Sequence, residues 1–120
     1  RLLADALEDY PYDTALITLN AAQEVMEHPE DLDRFFRIAK EKQVGVIAMK
    51  VVGRGVLVSQ RGLDIRQLLP YTLSHPVSTA IMGISVLPHL EENVRVASNF
   101  KQLSETELAQ IRTHAQAKKG

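Results

Sequence analysis

An apolar run, Gly45-Val46-Ile47-Ala48-Met49, empties through Lys50-Val51-Val52 into the glycine loop Gly53-Arg54-Gly55. A second junction of the same kind follows at Ser78-Thr79-Ala80-Ile81-Met82-Gly83-Ile84-Ser85. Apolar runs without polar alternation suit strands covered on both faces, the pattern of a parallel sheet. In parallel α/β folds the loops at the carboxyl ends of the strands build the ligand site, so a binding function is sought at these two junctions.

The segments between the junctions read as helices. Leu2, Leu3, Ala6, Leu7 and Tyr10 recur at helical spacing and Pro11 ends the pattern. Ala15-Leu16-Ile17-Thr18-Leu19 then reads as a buried strand closing on Asn20. His28-Pro29-Glu30-Asp31 opens the next helix, with Leu32, Phe35, Phe36 and Ala39 inward and Lys40 and Lys42 near its carboxyl end. Asp64 caps a helix carrying Ile65, Leu68, Leu69 and Leu73, which Pro70 is expected to kink or split. Pro88 opens another with Leu90, Val94 and Ala97 inward, and Ser104-Glu105-Thr106-Glu107 forms a capping box for a terminal helix over 105–117. The expected order is α-β-α-β-α-β-α-α, with parallel strands near residues 14–19, 44–49 and 78–83. Helical crossovers force parallel pairing, and three strands are too few for a closed barrel of about 250 residues. The expectation is a partial parallel (β/α)8 barrel of the TIM type, about three βα units and a carboxyl-terminal helix, residues 1–120 forming one domain.

Composition narrows the partners. With 14 basic and 15 acidic residues the net charge is −1, so no basic footprint for nucleic acid or an anionic membrane is present. No apolar run approaches the roughly 20 residues of a spanning helix and no amino-terminal signal pattern is present, so the expected location is cytoplasmic. The absence of cysteine excludes disulfides, thiolate metal sites and cysteine nucleophiles. His28, His75, His89 and His114 show no metal-ligand spacing. The chain starts at Arg1 and not at methionine, which suggests excision from something longer.

Taken together, the junctions resemble the carboxyl-terminal portion of the aldo-keto reductases, NAD(P)H-dependent oxidoreductases built as eight-stranded α/β barrels. The segment from Asp13 to Asn20 is similar to the family's sixth strand, and residues 45–57 to its seventh strand and following loop. Leu73-Ser74-His75-Pro76-Val77-Ser78-Thr79-Ala80-Ile81-Met82-Gly83-Ile84-Ser85, followed by Leu90-Glu91-Glu92-Asn93, resembles its eighth-strand signature.

That resemblance implies a cofactor half-site for NADP or NAD and a small carbonyl substrate. Backbone donors around Gly53, Arg54, Gly55, Gly83 and Ser85 would lie near the dinucleotide phosphates, because glycine permits close approach and exposed N–H groups bind anions. Glu92 and Asn93 match the pair at the adenine end, and Asn20 a polar residue at the sixth strand's end. Met49 stands where many relatives carry an aromatic ring against the nicotinamide, and Leu16 where a glutamine is frequent. His89 replaces an arginine common in NADPH-preferring relatives. Lys50 and Arg54 would meet phosphate or substrate, or remain solvated.

The family's tyrosine, lysine, aspartate and histidine catalytic set belongs to the first half of the barrel. No motif for it occurs in this sequence, so no catalytic residue is assigned and the isolated chain is expected to be inactive. Two other readings stand beside this one: a non-catalytic nucleotide-binding or regulatory subunit, and a partial barrel that self-associates through exposed strand edges.

Overall fold

The computed structural model describes residues 2–23, 29–59 and 62–117. Their elements are α1 (Leu2–Asp9), β1 (Thr14–Thr18), α2 (Leu32–Glu41), β2 (Gly45–Met49), α3 (Val56–Ser59), α4 (Ile65–Leu73), β3 (Thr79–Ala80), α5 (Leu87–Ser98) and α6 (Glu105–Ala117). A 3₁₀ turn, Pro29–Asp31, leads into α2. His28, the first residue of the expected helix opening, lies outside the described residues.

All strand pairing is parallel, in the order β1-β2-β3. Ile17 pairs with Ala48 and Ala48 with Ala80, while Leu16 pairs with Ile47 and Ile47 with Thr79. Side chains alternate along a strand, so these two rows point to opposite faces. The first row packs against helices. Ile17, Val46 and Ala48 join Ala4 and Leu7 of α1 and Phe35, Phe36, Ile38 and Ala39 of α2 in one apolar cluster. A second cluster gathers Val51, Leu57, Leu63, Leu68, Leu69 and Tyr71 with Leu108 and Ala115 of α6. Ala80 packs against both.

The second row faces outward. Leu16 is 47% exposed and Ile81 53%, with Ile47 and Met49 half-buried between them. The expectation of fully buried strands is therefore corrected: an apolar run in a parallel strand needs two covered faces, and the helices here supply one.

Polar contacts fix the helices. The Arg34 guanidinium spans Asp5 at 2.9 Å and Glu8 at 3.0 Å, joining α2 to α1. Lys42 departs from its expected role. Its ammonium donates to the carbonyls of Leu7 at 2.5 Å and Glu8 at 2.7 Å, satisfying the otherwise unpaired end of α1 and not of its own helix. Asp64 caps α4 as expected, accepting from the Arg66 N–H at 2.7 Å, while the Gln67 side chain accepts from the Asp64 N–H at 3.2 Å. The capping box of α6 forms in the same way, with Ser104 Oγ and the Glu107 carboxylate each 3.1 Å from the other's N–H.

Four further expectations are corrected. Of the two outcomes expected at Pro70 the split does not occur, and helix α4 runs through it; burial of Leu68, Leu69, Tyr71 and Thr72 around it offsets a cost of about 3 kcal/mol. β3 is two residues long, because beyond Thr79 and Ala80 its pairing with β2 continues only as single bonds, Ser78 N–H to Val46 O and Ile81 N–H to Ala48 O, both 2.8 Å. On α1 the buried residues are Ala4 and Leu7, with Leu3 and Tyr10 exposed. On α5 no residue is buried; Leu90, Val94 and Ala97 are exposed, and Val96 makes the contact with the second cluster. Periodicity locates an apolar stripe on a helix, but the neighbouring elements decide which stripe is covered. No helix among the described residues is long and apolar enough to cross a membrane.

Candidate functional site

Parallel pairing sends the residues after β1, β2 and β3 out at one end of the sheet, which is where the expected site residues gather. Asn20 is buried there, and its Nδ2 donates to the Lys50 carbonyl at 3.2 Å, tying the exit of β1 to the exit of β2. The Leu19 N–H reaches the Met49 carbonyl at 3.1 Å in the same seam. Met49 ends β2 on the open face of the sheet, and Lys50 Nζ lies 3.9 Å from its sulfur.

The loop after β2 has a left-handed backbone at Lys50 (φ 59°), Gly53 (φ 58°), Arg54 (φ 60°) and Gly55 (φ 86°). A tight turn closes it, with the Gly53 N–H on the Lys50 carbonyl at 2.9 Å and the Gly55 N–H on the Val52 carbonyl at 3.0 Å. These bonds occupy two of the amides that a phosphate contact would use. Glycine relieves strain at Gly53 and Gly55, whereas Lys50 and Arg54 adopt the same region with side chains attached, at about 1–2 kcal/mol each. Arg54 is exposed, and Lys50 half-buried.

Gly83 and Ser85 leave β3 at the same end and are exposed. A Cβ built at Gly83 meets open space, so no close approach within the chain requires glycine there. His89 is exposed in the first turn of α5. Glu92 and Asn93 follow half-buried on the same helix, and the Glu92 carboxylate contributes to holding Arg66 of α4 protonated, after the dominant hydrogen bonds that Arg66 donates to the Asp64 carboxylate.

The structure thus gathers Asn20, Met49 and Lys50 into one seam, sets residues 53–55 beyond it, and carries Gly83, Ser85, His89, Glu92 and Asn93 away along the β3 exit and α5. Tyr71 does not reach this end as a proton donor. Its ring is buried, and its hydroxyl oxygen accepts from Arg112 Nε at 3.1 Å.

One residue the sequence reading passed over organises this region. Thr72 is fully buried on α4, and its hydroxyl donates to the Leu19 carbonyl at 3.2 Å. A signal for it exists, since Thr72 follows Leu68 and Leu69 at helical spacing and so lies on the inward stripe. Compared with known proteins, the chain matches no family model, no curated protein and no solved structure.

Proposed function

We propose that the chain is the cofactor-binding, carboxyl-terminal part of an aldo-keto reductase barrel, a protein that uses NADP or NAD to reduce a small aldehyde or ketone. The observation that supports this most is the sheet: parallel strands in consecutive order, helices against one face, and an opposite face carrying Leu16, Ile47, Met49 and Ile81 toward the outside. In a closed barrel that face turns inward and is filled by side chains of the other strands.

In this reading the nicotinamide lies near Met49 and the seam between Asn20 and Lys50, the phosphates near the loops at residues 53–55 and 83–85, and the adenosine along His89, Glu92 and Asn93. Lys50 and Arg54 supply positive charge for the phosphates. Hydride transfer then needs a proton donor held against the carbonyl, and a positioned general acid is worth about 10²–10⁴-fold. No residue of this chain takes that role. The protein is expected to act in the cytoplasm.

Titrating the 120-residue chain with NADPH and NADH, followed by amide chemical shifts, tests the site. Perturbations confined to Asn20 and to residues 49–55 and 83–93 are expected, with no oxidation of NADPH in the presence of a panel of aldehydes. A dinucleotide that shifts neither loop rejects the site, and turnover by the purified chain rejects the assignment of the proton donor to other residues. A non-catalytic nucleotide-binding subunit would show the same binding, and would still show no turnover when completed by the rest of the barrel.

Self-association is a second reading, favoured by the exposure of Leu87, Leu90 and Val94 on α5 and of Ile84 and Val86 just before it. Sedimentation that gives a dimer or larger species at micromolar concentration supports it, and a monomer at all concentrations rejects it.

A further inference from the structure

At the opposite end of the sheet, before β1 and β2 begin, a cleft of about 520 Å³ opens between the end of α1, the Pro11 turn and the Lys42-Gln43 corner. Two tyrosine rings form one wall. Tyr10 and Tyr12 have ring centroids 4.7 Å apart with planes inclined at 49°, and the two residues are 59% and 46% exposed. Their pairing is built into the backbone: the Tyr12 N–H bonds the Tyr10 carbonyl at 3.0 Å across Pro11, a three-residue turn for which proline's fixed φ is already suited.

Asp9 and Asp13 flank the rings and line the same cleft. Their carboxylates take part in no ion pair or hydrogen bond among the described residues, unlike Asp5 and Glu8 one turn earlier, which hold Arg34. Lys42 also lines the cleft, but its ammonium is drawn onto the Leu7 and Glu8 carbonyls. Two carboxylates therefore line the cleft beside one ammonium that is already engaged with the carboxyl end of α1.

We propose that this cleft is a binding site for an organic cation of the methylated-ammonium type. Aromatic faces attract weakly hydrated cations through the ring quadrupole, and flanking carboxylates add long-range attraction. A bare metal ion is a poor fit, because among the described residues no three His, Cys, Asp or Glu side chains come together to ligate one. The site is independent of the dinucleotide reading, being at the other end of the strands.

Titration of the 120-residue chain with choline, observed at the Tyr10 and Tyr12 ring protons, tests it. Saturable millimolar binding is expected, with the neutral carbon isostere dimethylbutanol at least about threefold weaker. Tyr10→Leu/Tyr12→Leu and Asp9→Asn/Asp13→Asn are each expected to weaken choline binding by at least about threefold. Both pairs are exposed, and unchanged circular dichroism verifies that the variants fold. A trimethyllysine peptide binding more tightly than choline assigns the cation to a protein partner, and equal or weaker binding assigns it to a small molecule. Equal affinity for choline and its isostere, or no saturation by about 50 mM choline, overturns the proposal.

Discussion

The hydroxyl of Thr72 donates to the carbonyl of Leu19 across 3.2 Å, linking the buried face of α4 to the exit of β1 over a separation of 53 residues. Both residues are almost wholly excluded from solvent. The bond sets the helix against the end of the sheet where the Asn20 and Lys50 seam lies.

Thr72→Val keeps the shape and removes the donor. Leaving a buried carbonyl without this partner costs about 1–3 kcal/mol, so the urea midpoint is expected to fall clearly. Thr72→Ser keeps the hydroxyl and loses a methyl group, for about 1 kcal/mol. A serine variant less stable than the valine variant would contradict the hydrogen-bond account.

The loops differ in their need for glycine. Gly55 has φ 86°, whereas Gly83 has an ordinary backbone and free space where a Cβ would go. Gly55→Ala is expected to cost about 1 kcal/mol, and Gly83→Ala to stay within about 0.5 kcal/mol. If Gly83 nonetheless faces a phosphate, its valine variant should weaken dinucleotide binding at unchanged stability, and thermal melts with and without NADPH separate the two effects.

His75 adds a pH dependence. Burial, the largest cause, holds its imidazole below the ordinary value of 6.5, and its Nδ1 lies 2.8 Å from the Tyr71 carbonyl, which requires the proton on that nitrogen. Its ring lies beside Phe36 and Tyr71, with centroids 6.1 and 5.0 Å away. The folded chain therefore takes up a second imidazole proton at lower pH than the unfolded chain. Stability is complete above about 6.5 and declines as the pH falls from there, until the folded value is passed. The stability difference between the parent and His75→Asn is expected to be constant above that pH and to shrink below it. A difference that does not vary with pH would remove His75 from the acid response.

The sequence carried the elements better than their surroundings. The Asp64 cap and the Ser104–Glu107 capping box were legible because each depends on residues within one turn. The parallel order followed from helix-bearing connections between apolar runs. By contrast, Leu16 and Ile17 read alike in sequence, yet one is 47% exposed and the other 4%. Which strand face is covered depends on elements distant in the chain. The same holds for α5, where Leu90 and Val94 face outward and Val96 makes the contact. At the candidate site, glycine and lysine at a strand end were visible as residue types. The turn bonds that occupy two of their amides were not, because these follow from the left-handed backbone run.

The meeting of the two apolar clusters at Ala80 bears on how the molecule opens. A single methyl group on an edge strand is a thin seam, with the Thr72 hydroxyl and the His75 ring between Phe36 and Tyr71 as further stitches, so opening one side need not disrupt the other. Amides of β1, β2 and α2 would then exchange with solvent as one cooperative group and those of α4 and α6 as another, each with its own opening free energy. In that arrangement the helices beside the glycine loops loosen while the paired core of β1 and β2 remains closed.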